Sequence, residues 1–420
     1  MATTFWTGNG QNVAQVSTIV ITAVAVNGTL SATINGKSIT YTCVTGDTIA
    51  TAGTGWLALL QASTVPAEFA EITWAFDGTA TITATAGTPG TPFTLTKSQA
   101  GGATCTLTAT TANSSQSDVN NSANWLRSGS ASLPQNGDDV VVANTSIPLL
   151  WNLDQLASVQ FLSFTRYQSF TGTIGLPDYN ANGYYEYRPT YFQFSGSAGT
   201  LPLSLGLGVG SGPTRERYNL GTKRYALTVV GAGSPADEFA VRVLGTHANN
   251  TLTIVGTSVG VATFPGESST LDVVTVDGGG SLTCGPTVTF TGTGGGGTLT
   301  LTGGSATLYC APAAIVARNS AVLSLAGSSL TFASITANNG VQISLLTAMT
   351  ISVLTLQKGS TLNNSANLGA VTLTTSTLDG DTCQILDPNN SITYTNATTV
   401  NGQVTSGPFV FTGQKTVKVT

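Results

Sequence analysis

Charge is what this sequence most lacks. Only 8% of its 420 residues are Asp, Glu, Lys or Arg, against roughly 25% in ordinary globular chains. Low charge with abundant Thr, Val, Ile and Leu argues against disorder, which goes with low hydrophobicity and high net charge. It favours sheets whose outward residues are small hydroxyls and amides. The net charge is −5 and no dense basic patch occurs, so no nucleic-acid partner is expected. The single histidine is His247. The five cysteines, Cys43, Cys105, Cys284, Cys310 and Cys383, are widely spaced. None has the close spacing of a zinc ligand pair. They read as reduced thiols serving as small strand residues. Cys284 and Cys310 could lie on nearby rungs of one sheet, without a bridge being implied. No run of about twenty apolar residues exists, so no membrane span is expected. The first charged residue is Lys37, so a secretory leader with a basic start is not expected. No cofactor is expected.

What is present is β pattern and turn residues. Between about 12 and 112 the chain reads as one small α+β domain. "STIVITAVAV", "TLSATI" and "KSITYTCV" are separated by Asn27-Gly28 and Asn35-Gly36. Asn-Gly between two strand patterns is a strong hairpin signal, because type I′ turns need positive φ at both central positions. A three-strand meander is therefore expected. In "GDTIATAGTGWLALLQAS" the residues Ile49, Gly53, Trp56, Leu57 and Leu60 share one helical face, with Asp47 or Thr48 as the cap. A second hairpin turns at Asp77-Gly78, and "TPFTLTKS" and "ATCTLTATT" complete the sheet.

From about 225 onward short β runs recur between Gly, Asn and Ser turns, with similar cores near 251, 270, 298, 321, 341 and 361. Such spacing fits one coil of a parallel β-helix better than a sandwich hairpin. "NNTLTIVG", "GGTLTLTG" and "NSAVLSLAG" read as near-copies of one strand-and-turn unit. Inward Leu, Ile and Val would stack between coils, and outward Thr and Ser would form ladders. The open ends of such a stack need covering. Trp125 and the Asn136-Gly137 turn suit one cap, and Lys415 and Lys418 suit edge-blocking charges at the other end. The expected fold is mainly β: a small α+β attachment module over 1–112, a linker and cap over 113–150, and a right-handed parallel β-helix over 151–420. Tandem β-sandwich domains are the alternative.

Three stretches resemble parts of known proteins. "ATINGKSITYTCVTGDTIATAGTGWLALLQAS" with "TATITATAGTPGTPFTLT", covering about residues 30 to 97, resembles a small module of tailed-bacteriophage structural proteins. It is a pattern of scaffold positions, and no enzymatic residue carries over. "SANWLRSGSASLPQNGDDVVV" resembles the entry into many β-helical surface and virion proteins. "FTGTIGLPDYNANGYYEYRPTYFQF" resembles a segment of phage and environmental proteins with this layout. The resemblance implies a non-enzymatic virion protein assembled in the host cytoplasm. By analogy it implies a homotrimer bound to a major capsid protein or other virion proteins. A capsid decoration or knob protein is the first expectation. A tail fibre or tailspike contacting a host-surface glycan is the alternative, and a bacterial surface adhesin or filament subunit the third.

Candidate chemistry is sparse. "VVGAGSPA" has the glycine spacing of a dinucleotide fingerprint through Gly231, Gly233 and Ala236. Pro235 and the short run before the next strand leave no room for the helix that binds a pyrophosphate. His247 lies in a Gly-Asn turn, without the base and third group that a nucleophile needs. Tailspikes that cleave polysaccharide are also β-helical, and glycoside hydrolysis needs two carboxyl groups. The candidates near aromatics are Asp178, Glu186, Glu216, Asp237 and Glu238. Arginines close in sequence to Glu186 and Glu216 would hold a carboxylate ionised, unsuited to a general acid.

The aromatic and basic residues cluster instead. Eight of eleven tyrosines fall between Tyr167 and Tyr225, and six of eight arginines between Arg166 and Arg242. The zone 165–245 therefore has the residue types of interface hot spots. Its expected subunit-interface residues are Tyr184, Tyr185, Tyr187, Arg188, Tyr191, Phe192, Arg215, Arg217 and Tyr218. Packing within one chain, or a glycan site, are the competing readings.

Overall fold

A computed structural model describes residues 2–153, 160–194, 199–231, 241–255, 261–262, 269–277, 281–291, 297–379, 382–396, 398–400, 403–404 and 416–418. Of the described residues 48% are in strands and 5% in helices, and the body is a β-solenoid of about 10 turns. The parallel β-helix is therefore the observed fold. One long parallel sheet runs from Asp139–Val142 through Ser163–Tyr167 and Thr200–Leu207 to Val371–Asp379. A second runs from Phe192–Gln193 and Glu216–Asn219 to Gln384–Leu386. Both sheets take one strand from each coil. The cores near 251, 298, 321 and 341 therefore do not mark one repeated position. Thr251–Ile254 and Thr298–Thr302 belong to the first sheet, whereas Val322–Leu325 and Gln342–Leu345 belong to the second. Register, rather than the spacing of similar strings, defines the coil. Val273 lies opposite Thr298, and Thr298 lies opposite Ala314. The second of these coils is much the shorter, so coil length varies while the strand positions stay fixed.

Alternation along each strand builds continuous interior columns. In the first sheet one column is Leu299, Ile315, Ile335 and Leu354, all fully buried. The second sheet stacks Leu282, Ala306, Leu323, Ile343, Leu362 and Ile385. Over the later coils its outward column is Thr283, Thr307, Ser324, Ser344 and Asn363, which keeps that part of the face neutral and wet. Where the chain leaves the first sheet it turns through a left-handed corner. Asn319 and Ser320 have φ of 56° and 59°, and Asn339 and Gly340 have 66° and 77°. Corners stack as strands do: the Asn319 N–H donates to the Asn338 carbonyl, and the Asn339 side chain donates to Asn319 Oδ1 at 3.0 Å. Asn, Ser and Gly recur there because they tolerate positive φ.

The first residues do not belong with the module. Thr3–Trp6 lies parallel on Asp139–Val142, and Trp125–Arg127 pairs antiparallel on its other side. This corrects the expected boundary: the body begins at its own cap, and the small domain is inserted between two cap strands. Trp125 covers the end of the core as expected. It meets Trp6 edge-on at 4.9 Å, and its indole N–H donates to the Val119 carbonyl at 2.8 Å. Asp138 ties the cap together by accepting from Arg127, the Gln135 N–H and the Thr4 hydroxyl. The Lys415 edge charge lies outside the described residues, as does the Lys418 side chain.

The module has two antiparallel sheets rather than one meander. Val16–Ala23 lies between Thr81–Ala86 and Thr104–Thr111. Thr29–Ile34 lies between Lys37–Thr42 and Thr96–Ala100. Asn35-Gly36 makes the expected hairpin, with φ of 48° and 76°. Asn27-Gly28 does not. Only Asn27 has positive φ there, and a Cβ on Gly28 would meet Ala103 at 2.8 Å. The glycine allows the chain to cross between sheets. Ile49–Leu60 is the expected helix, capped by Thr48, with Trp56 and Leu60 in the core.

Candidate functional site

The stretch "GYYEYRPTYFQF" lies where the coil pattern breaks. Val140 pairs with Phe164, and Phe164 pairs in turn with Leu203. The coil from Phe164 to Leu203 is far longer than the one before it. The extra length is a loop inserted within one strand position. Ile174 bridges to Glu216 and Phe192 pairs with Tyr218, so both ends of residues 175–191 meet a single strand of the next coil. The neck closes where the Leu176 N–H donates to the Thr190 carbonyl at 2.9 Å. Gly175 sits at the neck with φ of 80°, where a Cβ would meet the Thr190 carbonyl oxygen at 2.5 Å. Asn180 and Gly183 turn the tip, the Asn182 N–H donating to Asn180 Oδ1. Close ends and internal packing make this an Ω-loop.

One side of the loop grips the module. The Tyr184 hydroxyl and the Asn182 amide both donate to Glu71. Asn35 reaches the Tyr185 carbonyl at 3.4 Å, and Tyr187 packs against the module's core. Burial raises the Tyr184 phenol, and the bond to Glu71 raises it further. Burial pushes the Tyr187 phenol up to about 12. A crevice of about 480 Å³ remains between loop and module, lined by Glu68, Glu71, Asn182, Tyr184, Glu186 and Tyr187. Lys37 neutralises Glu68 at 2.8 Å, and Arg188 pairs with Glu186.

Beneath the loop two arginines lie side by side. Arg217 and Arg242 are register partners on neighbouring coils and are 1% and 2% exposed. The loop's Asp178 sits over both, 2.7 Å from Arg217 and 3.7 Å from Arg242. Arg217 also lies 5.9 Å from the centre of the Tyr191 ring. Inside the solenoid, Arg166 fills a slot between Val142 and Leu205 in an otherwise apolar column. Glu216 faces it from the second sheet, and the pair is bidentate and fully buried. The Tyr218 hydroxyl donates to Glu216 at 2.7 Å, and Arg166 also donates to the Gly231 carbonyl. Burial would pull the guanidinium down, but the Glu216 carboxylate outweighs it and keeps Arg166 charged. Burial and the same carboxylate hold the Tyr218 phenol protonated, well above its ordinary value.

The nine nominated residues thus divide. Phe192, Arg217 and Tyr218 are covered within one chain, so they cannot present area to another subunit. Phe192 and Tyr218 enter an aromatic group with Phe164 and Phe194. Tyr184 and Tyr191 are also buried, and Arg188 is tied to Glu186. Tyr187 is half-buried against the module, and Arg215 is half-buried, its Nε donating to the Gly175 carbonyl. Tyr185 alone is open, at 61% exposure. Sequence reasoning missed Glu71, and it placed Arg166 and Tyr179 in the Tyr- and Arg-rich zone without nominating them. Arg166 carried a signal, since it occupies an inward position in "SFTRY". His247 lies in its turn, its Nδ1 accepting from the Asn249 N–H. All five cysteines are free and buried. Asp237, Glu238, Gly233 and Ala236 lie outside the described residues. Among the described residues no cluster of His, Cys, Asp and Glu could hold a metal ion, and no helix is long and apolar enough to cross a membrane. Neither a protein-family model nor a curated protein nor a solved structure matches the chain.

Proposed function

We propose that the protein is a non-enzymatic structural element of a tailed-bacteriophage virion, a decoration or knob protein on the capsid surface. The observation that supports this most is the joint at residues 175–191. A loop grown from the solenoid holds a separate small domain at the capped end, while the solenoid extends away for about 10 turns. That arrangement suits a head that attaches and a rigid stalk that projects. The outward Thr, Ser and Asn column keeps the later coils of the second sheet uncharged, as a protrusion crowded among copies of itself requires. Assembly as a homotrimer on the major capsid protein completes the reading. A tail fibre or tailspike is the second reading, favoured by the open Tyr179 and Tyr185 rings. Quantitative composition of purified particles tests the assignment. Tens to hundreds of copies per particle are expected. A handful would move the protein to the tail, and absence from particles would overturn a virion role.

A further inference from the structure

The side of the loop facing away from the module is open, and we propose that it is a binding site for a neutral glycan. Tyr179 and Tyr185 are 52% and 61% exposed. Their ring centres are 4.6 Å apart at a 36° tilt, and their hydroxyls share a hydrogen bond at 3.1 Å. The two rings therefore hold one another in place and form a platform. An aromatic face carries partial negative charge, which attracts the C–H groups on the apolar face of a sugar ring. Beside the platform is a crevice of about 580 Å³, lined by Asp178, Thr190, Tyr191 and Gln193 as well as the two tyrosines. That volume is in the range of small-ligand sites, where a few placed polar groups among apolar surface fix orientation.

The charge pattern selects the ligand. Among the described residues Asp178 is the one carboxylate lining the crevice. Arg217 and Arg242 hold it from below, yet its side chain is 47% exposed. It can therefore accept from neighbouring sugar hydroxyls while its charge is balanced by the protein. An acidic sugar would be repelled by Asp178, and a cation would lie above two buried guanidinium groups. A neutral sugar meets neither penalty. Thr190 and Gln193 supply uncharged donors and acceptors. The site is also fixed in advance. The neck bond from Leu176 to Thr190 and the Asn35 bond to the Tyr185 carbonyl anchor both ends of the platform segment, which lowers the ordering cost of binding. The site is independent of where the protein resides on a particle, so particle composition neither supports nor removes it.

Calorimetric titration of the full chain with tetramers of glucose, galactose, mannose and N-acetylglucosamine tests the site, with an oligogalacturonate as the acidic contrast. At least one neutral tetramer should bind and the acidic one should bind more weakly. Tyr185→Ala and Tyr179→Ala should each weaken binding by about tenfold or more while leaving the melting temperature unchanged, since both rings are open. Tyr309→Ala, which removes a tyrosine of 42% exposure elsewhere on the body, should change nothing. Failure of every neutral tetramer to bind would overturn the proposal, as would binding unaffected by both substitutions. Dissociation of an oligomer by Tyr185→Ala without any saccharide binding would assign the platform to a second copy of the chain and overturn it equally.

Discussion

The early and late coils of the same solenoid are built on different principles. From Leu299 to Leu378 the inward positions of the first sheet are aliphatic apart from Phe332 and Ser376, and neighbouring positions are nearly interchangeable in chemistry. Around Arg166 the interior instead holds a buried ion pair, a buried phenol and a cluster of phenylalanines. The late coils repeat a rule. The early coils do something that the rule cannot: they start the stack, accept an inserted loop and hold a second domain. Repetition stabilises by summing similar contacts between neighbours, whereas the early coils depend on a few pairings that must all be present.

The sharpest way to break this contrast is to change charge at constant size. Glu216→Gln leaves Arg166 buried without its counter-ion, a change that costs about 3–5 kcal/mol. Leu354→Ile, equally conservative in size, should cost under about 1.5 kcal/mol. Replacing the pair together, Arg166→Met with Glu216→Leu, should recover most of the first loss, because a well-packed apolar pair is often as stable as a buried ionic one. Denaturant unfolding of the three variants reads all of this. Equal losses for Glu216→Gln and Leu354→Ile would erase the distinction between the two regions.

The cap should show itself in acid. Burial would raise the Asp138 carboxyl, but Arg127, the Gln135 N–H and the Thr4 hydroxyl outweigh it and hold it at about 2, below the ordinary 3.8. The folded-state value is thus the lower one. Its stabilisation is complete above about pH 4 and is lost as pH falls towards 2. The difference corresponds to about 2 kcal/mol. Hydrogen exchange should report loss of protection at Thr3–Trp6 and Trp125–Arg127 in that window, ahead of the strands near Leu354. Asp138→Asn should abolish the difference between the two ends.

The rule-following part of the molecule was the legible part. Alternating Thr and Leu in "TLTLT" specifies a strand with one buried face, and Asn or Gly at the corners specifies where it stops. Those signals are local, so the parallel β-helix could be read from them. The division of strands between two sheets could not, because "TLTIV" and "VLSL" have the same alternation whichever sheet they join. The Tyr and Arg zone was visible as composition, but its partners are distant: Arg166 meets Glu216, 50 residues on, and Tyr184 meets Glu71, 113 residues earlier. Asn27-Gly28 misled for a similar reason, since Gly28 packs closely against Ala103, far along the chain. An aromatic cluster has the same residue types whether it packs within a chain or between chains, and only the topology that placed a loop beside the module separates the two.

The joint itself should be the mildest of these dependencies. Tyr184→Phe keeps the ring against the module and removes one donor to Glu71, while Asn182 still donates to that carboxylate. Loss of a single hydrogen bond to a half-exposed charge costs about 1 kcal/mol. Because the module and the solenoid have separate hydrophobic cores, this small loss should leave both folded and act on their contact alone. Limited proteolysis should then cut faster within 175–191, with the melting temperature nearly unchanged. A large fall in melting temperature would mean that the module helps to hold the first coils together, and the early coils would owe their stability to the inserted domain as much as to their own buried pair.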